Sequence, residues 1–275
     1  GLRLAEGEKA RQGAWGKAVA ANEWHHLKRW LDAGGRIDYL TTDHAVMMNL
    51  GHRCTKGTDC GLALPDVLDE LADYFAFMAA RIPHVRFGVI ESLGFFHVTG
   101  PDGHEYPRTV PQLPVWHFET YFDELLAAMQ RRGLTLDHFH IDFGYVGVAH
   151  DGGSGPGGRL DFGRVLGVEH YVRSKGVKCG LIVNAFHEGA QEPPDAGLAS
   201  QQAYTRTRKL VDDYVAAGGR ANQWVLQTWH PYPDHTGPED TPYTVLNTAR
   251  DIMLSEAFTT WLARVDGTPG GNLGP

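Results

Sequence analysis

The stretch HFHIDFGYVG, residues 138–147, decides how the chain is read. His138, His140 and Asp142 fall at every second position, with Phe139 and Ile141 between them. Side chains on a β-strand alternate faces, so this pattern predicts a strand with one polar and one apolar side. Gly144 then releases the chain into a loop.

Outward from this strand the same rhythm repeats. A helix expected over about 117–132 ends at Gly133 and leads into LDHFHIDFG. Earlier, a helix over about 8–33 ends at Gly34-Gly35 before RIDYLTTDHAV. Another, about 65–82, is opened by Pro65 and closed before Pro83, and HVRFGVIESLG follows it. Later, helices over about 160–175 and 200–217 end at Gly176 and Gly218-Gly219 and lead into VKCGLIVNAF and NQWVLQTWHPYP. A last helix is expected over about 242–262. Strands that alternate with helices indicate βαβ units and a parallel sheet.

The two architectures open to such a chain are a closed barrel and an open doubly wound sheet. No G-x-G-x-x-G follows a strand and no Walker A loop occurs. The loops expected after the strands are long: about 44–64, 92–116, 143–159, 185–199 and 230–241. In a barrel such loops build the active-site face. The expected fold is therefore α/β, a (β/α)8 TIM-type barrel forming one domain over residues 1–275. Only five strands stand out and the chain opens on a helix. The barrel is accordingly expected to be irregular at its N-terminus, or to lack an N-terminal β/α piece. The GGSGPGG run at 152–158 reads as a loop, because the alternation continues across it.

Composition narrows the partners. With 42% hydrophobic residues, a formal charge of −8 and a pI near 6.0, the chain suits a soluble globular protein. No basic stripe favours nucleic acid or an anionic membrane surface. No apolar run approaches the roughly 20 residues that span a bilayer. The opening GLRLAEGEKARQ has no apolar core of a signal peptide, although a signal could have been removed. Cys54 and Cys60 bracket a short polar loop, where either a local disulfide or two free thiols fits. The disulfide would suit a secreted or extracytoplasmic protein, the thiols a cytoplasmic one. Cys179 lies in an apolar run and reads as a core thiol. No cofactor is expected.

Candidate site residues come from the strand tips. Taking one parity on each strand gives Tyr39, Thr41, Asp43; Phe87, Val89, Glu91; His138, His140, Asp142; Gly180, Ile182, Asn184; and Val225, Gln227, Trp229. The tips are thus Asp43, Glu91, Asp142 and Asn184, with Gln227 and Trp229 on the last strand. Asp and Asn also occur at strand ends as turn and cap residues, so any one tip alone is weak. Aromatic and imidazole groups fall just beyond the tips, among them Tyr145, His187 and His230, with Glu188 beside them. Flat rings next to carboxylates suit a sugar, which stacks on its CH face and hydrogen-bonds through its hydroxyls. Glycoside hydrolysis needs one carboxyl as acid and a second as nucleophile or base. Glu91, after three apolar residues, is expected as the acid, and Asp142 as base or nucleophile. Asp43 and Glu188 are reserve carboxylates; His140, Tyr145, Asn184, His187, Gln227, Trp229 and His230 are expected to bind the carbohydrate.

This β/α alternation, with a strand-end Glu91, a strand-end Asp142 and the late Trp229-His230-Pro231-Tyr232, resembles the glycoside hydrolases built on TIM barrels. The resemblance implies cleavage of a glycosidic bond at the barrel mouth. Retaining members of the large clan carry Asn-Glu at one tip and Glu at a later one. Here Ile90 precedes Glu91 and the late strand offers Gln227, which points toward an inverting or unusual arrangement. A second reading takes His138-x-His140 with Asp142 as similar to the HxH of metal-dependent amidohydrolases. A polysaccharide lyase and a non-catalytic carbohydrate-binding barrel are the remaining readings.

Overall fold

The computed structural model describes residues 15–44, 63–109, 116–152, 160–185, 195–228, 232–233 and 235–266. In chain order these form α1 (Trp15–Asp32), β1 (Tyr39–Asp43), α2 (Leu64–Ala79), β2 (Arg86–Ser92), a short 3-10 turn (Leu93–Phe95), β3 (Phe96–Thr99), β4 (Glu105–Tyr106) and β5 (Trp116–His117). Then follow α3 (Phe118–Gln130), β6 (Leu136–Asp142), α4 (Tyr145–Gly152), α5 (Gly163–Ser174), β7 (Lys178–Val183), α6 (Ala196–Ala216), β8 (Gln223–Leu226), α7 (Val245–Met253) and α8 (Glu256–Asp266).

The α/β class is as expected, but the closed eight-stranded barrel is not what forms. The described strands make a five-stranded parallel sheet, ordered β1-β2-β6-β7-β8, and a separate three-stranded sheet, ordered β4-β3-β5. Among the described residues there are eight strands, yet three of them are spent outside the main sheet. Those three are only two to four residues long and lie within or at the end of the loop expected over about 92–116. Closing a (β/α)8 barrel takes eight strands in one sheet with consistent tilt and stagger. Five helix-preceded strands supply only part of that circuit.

Helix ends follow the local chemistry. Gly133 and Gly176, just past α3 and α5, take φ of 68° and 76°, the left-handed values that a helix stop demands and glycine meets without strain. The single helix expected over 242–262 is broken in two. Ser255 Oγ accepts the Phe258 N–H at 3.1 Å and so starts a new helix, as Thr244 Oγ1 does for Asn247 at 3.1 Å. Inside the loop expected over 143–159, Tyr145–Gly152 forms a further helix.

Two compact units make up the described chain. The first takes its residues from 1–98, 107–140 and 174–177. Its α1 and α2 touch at backbone level: a Cβ on Gly16 would stand 1.8 Å from the Glu70 carbonyl oxygen. The buried Glu70 carboxylate accepts the Gly16 N–H at 2.7 Å, satisfying a donor near the start of α1. Arg132 ties α3 to α2 through Asp73 at 2.8 Å and Asp69 at 2.7 Å. The core lies between these helices and one side of the strands. Phe75 of α2 meets Phe87 of β2 at 4.7 Å, and Phe118 and Phe122 of α3 meet Phe139 of β6 at 5.3 and 5.5 Å.

The second unit takes residues from 99–106, 141–173 and 178–275. Its β7 and β8 pair in parallel, Gly180 opposite Gln223 and Val183 opposite Leu226. Trp224 of β8 packs on Tyr214 of α6 at 6.2 Å and on Trp261 of α8 at 5.0 Å. Buried Glu169 of α5 fastens this layer. It accepts from the Tyr214 hydroxyl at 2.6 Å and the Arg220 N–H at 2.8 Å. Burial still holds its carboxyl above the ordinary glutamate value, against the pull of those two bonds.

Candidate functional site

In the first unit the pairing of β1 with β2 fixes which residues share a face. Thr41 stands opposite Gly88 and Asp43 opposite Ile90. Directly paired residues on neighbouring parallel strands point the same way. Thr41 Oγ1 lies 2.8 Å from His138 Nε2, and a Cβ on Gly88 would stand 1.9 Å from that same nitrogen. Thr41, Gly88 and His138 therefore share one face. Phe87, Val89 and Glu91 occupy the other, against the helices. This corrects the parity expected for β2: its members in phase with His138 are Arg86, Gly88 and Ile90. Large apolar side chains mark the helix-facing side, and Phe87 and Val89 are buried there.

Glu91 is consequently fully buried, at 0% exposure, and receives the Tyr121 hydroxyl of α3 at 3.4 Å. Burial, with the neighbouring Glu91, pushes the Tyr121 phenol well above its ordinary range. Such a carboxyl is enclosed by the core rather than presented to a ligand. Asp43 is exposed on the Thr41 face, with the His44 ring nitrogen 2.5 Å from its carboxylate.

His138 and His140 continue the Thr41 face along β6, their rings 4.8 Å apart and both buried. Both ring nitrogens of His138 are engaged: Nε2 by Thr41 and Nδ1 by Asp137 Oδ2 at 3.2 Å. A metal ligand needs one such nitrogen open to the ion. The expected grouping of His138, His140 and Asp142 around a metal thus finds its first member committed. Among the described residues no three His, Cys, Asp or Glu groups gather as a metal-binding set.

The second unit assembles the remaining described candidates. Asp142 ends β6 half-buried, and Asn184 Nδ2 donates to its Oδ1 at 3.3 Å. Asn184 is only 2% exposed and sits just past β7. Gly144 makes this approach possible, since a Cβ there would stand 2.0 Å from Asn184 Oδ1. The chain then turns into α4, where the Tyr145 N–H donates to the Asn184 carbonyl at 3.0 Å. Asn184 thereby holds both the carboxylate and the start of the helix. Over the Tyr145 ring lies the Arg206 guanidinium, 5.8 Å from the centroid.

On β7 and β8, Leu181 pairs with Trp224, whose ring faces the helices. Alternation therefore puts Gly180, Ile182 and Asn184 on the opposite face, with Gln223 and Val225 and, one residue past the end of β8, Gln227. Cys179 falls on the helix side, fully buried, its thiol pushed up by burial and by nearby Glu169. Arg164 at the start of α5 is also buried, between the Tyr106 and Phe143 rings at 5.6 and 5.4 Å.

Sequence reasoning did not single out Arg206, Gly88 or Arg164. Gly88 was detectable as the one glycine in the strand RFGVIES. Arg206 lies mid-helix, and no local signal distinguishes it. His187, Glu188, Trp229 and His230 lie outside the described residues, as do Cys54 and Cys60 and their expected bridge. No protein-family model matches the chain, and neither does any curated protein.

Proposed function

We propose that the protein is a glycoside hydrolase whose working carboxylate is Asp142, acting as nucleophile or base. One observation carries this reading: a half-exposed carboxylate at a strand end is aimed by the buried Asn184 amide at 3.3 Å. A base or nucleophile has to be accessible, ionised and held in one orientation. The amide donates to the carboxylate, and its own burial keeps it from swinging away. Tyr145, whose N–H donates to the Asn184 carbonyl, brings an aromatic side chain three residues past Asp142, and Gln227 brings a further amide; these are the two kinds of group that sugar CH faces and hydroxyls take.

Hydrolysis also takes a proton donor. The burial of Glu91 and its position against α3 weigh against that role, so Glu188, four residues after Asn184 in the sequence, is the carboxyl to examine for it. Asn184 acts on Asp142 rather than on the bond that breaks, and is a positioning residue in this reading.

The test is Asp142→Asn assayed on a panel of neutral and charged oligosaccharides and polysaccharides. The expected result is a loss of about 10²–10⁴-fold in kcat on whichever glycan the parent cleaves, with the melting curve retained. Full turnover by Asp142→Asn overturns the assignment. A parent that binds glycans and cleaves none points instead to a binding protein. A product with an ultraviolet-absorbing double bond points to a lyase.

A further inference from the structure

We infer that the substrate of this site carries an anionic substituent, a carboxylate or a sulfate, and that Arg206 is the residue that reads it. The inference rests on the reading of Asp142 as the working carboxylate. It begins from a chain of contacts within the second unit. Asn184 Nδ2 donates to Asp142 at 3.3 Å, the Tyr145 N–H donates to Asn184 at 3.0 Å, and Arg206 lies over the Tyr145 ring at 5.8 Å. Arg206 is thus linked to the carboxylate through Tyr145 and then Asn184.

Its neighbours on α6 are spoken for in a way that Arg206 is not. Lys209 pairs with Asp213 at 2.7 Å, and Arg208 donates to the Tyr204 hydroxyl at 3.2 Å. Arg206 is half-buried, and among the described residues its interaction is with the Tyr145 ring and no carboxylate pairs with it. A ring face attracts a guanidinium but fills none of its five N–H donors. Those donors form a planar fork that matches a carboxylate or sulfate in two parallel bonds. The chain as a whole carries a formal charge of −8, so its general field repels anions. A local cation held at the site, with no carboxylate paired to it among the described residues, is what an anionic glycan would need.

Gln227 supplies an independent sign that a ligand belongs here. Its Nε2 is buried and has no hydrogen-bond partner among the described residues. Val183 pairs with Leu226, so the next step along both strands brings Asn184 and Gln227 to the same level and the same face. A buried amide donor left unmade costs stability, and a substrate oxygen would satisfy it.

The experiment is calorimetric binding with the full chain and three matched ligand series: uronic-acid oligosaccharides, their carboxyl-reduced counterparts, and sulfated counterparts. The parent is expected to bind one acidic series at least tenfold more tightly than the reduced series. Arg206→Ala is expected to weaken that acidic series by about 10- to 100-fold and erase the preference, while Arg206→Lys keeps part of it. The series that responds tells carboxylate from sulfate. Equal affinity for acidic and reduced ligands in the parent overturns the inference. So does a preference that survives Arg206→Ala, and so does failure of every acidic ligand to bind. Asp142→Asn separates this from the hydrolase reading. If it abolishes turnover while no acidic preference exists, the anion subsite alone is wrong. If it leaves turnover intact while the Arg206-dependent preference is present, the hydrolase assignment of Asp142 alone is wrong.

Discussion

Glu91 and Asp142 both stand at the ends of parallel strands, and both are carboxylates, yet their surroundings have little in common. Glu91 is sealed in the core with a phenol of α3 against it. Asp142 is half-exposed and held by a side-chain amide. The difference is one of parity. Phe87 and Val89 precede Glu91 on its own face, whereas His138 and His140 precede Asp142. In a parallel sheet covered by helices, the bulky apolar parity packs against the helix layer. A carboxylate sharing that parity goes inside with it. A strand-end acid is thus read by the company two and four residues upstream rather than by its place at the tip.

The comparison can be broken first at Gly88, where the largest effect on stability is expected. A Cβ there would lie 1.9 Å from His138 Nε2, and His138 is buried and bonded on both nitrogens. Gly88→Val should cost about 1–3 kcal/mol or more in denaturant unfolding, with Gly88→Ala toward the lower end. If Gly88→Val is neutral, Gly88 and His138 do not share a face, and the parity that sends Glu91 to the helices falls with it.

Glu91 itself comes next. Glu91→Ala removes the acceptor of a buried hydroxyl and should cost about 1–3 kcal/mol. Tyr121→Phe should cost less, and the double variant should cost less than the two singles together, since both act on one contact. Strict additivity would mean that the contact at 3.4 Å carries no energy.

The smallest effect is a pH dependence. Glu169 is buried, and its carboxyl is held above the ordinary glutamate value by burial, with Tyr214 and Arg220 pulling the other way. Between the unfolded and folded values the native state binds the extra proton, so stability falls as pH rises through that window. Glu169→Gln should flatten the decline, by at most about 1.4 kcal/mol per pH unit. Asp69 carries the opposite sign. Burial is its largest influence and raises it, but Arg131 and Arg132 together hold it below the ordinary aspartate value. Its contribution is present above that ordinary value and is lost as pH falls through the lowered one. Stability measured from about pH 2 to 8 in Glu169→Gln and Asp69→Asn checks the two signs.

Much of the fold was legible in the sequence for a plain reason. Glycine stops such as Gly133 and Gly176 mark helix ends, and a stretch such as LDHFHIDFG can hardly be anything but a strand. Sheet closure was not legible, because βα units look alike locally whether or not the circuit completes. The short strands at Phe96–Thr99, Glu105–Tyr106 and Trp116–His117 are too brief to show a period of two above loop composition. Ser255 broke the last helix with a side-chain cap inside an otherwise helical run. Within the site, Asp142, Asn184 and Tyr145 were readable from strand-tip position, whereas Arg206 required the tertiary packing of α6. The placement of Glu91 is legible too, in the parity it shares with Phe87 and Val89.

The most direct test sets the two carboxylates side by side: Glu91→Gln and Asp142→Asn, each measured for melting temperature and for kcat on the same cleaved glycan. The account predicts that Asp142→Asn melts like the parent and loses about 10²–10⁴-fold in kcat, while Glu91→Gln lowers the melting temperature and keeps turnover in the folded fraction. A Glu91→Gln variant that melts normally and has lost turnover, beside an active Asp142→Asn, would contradict it.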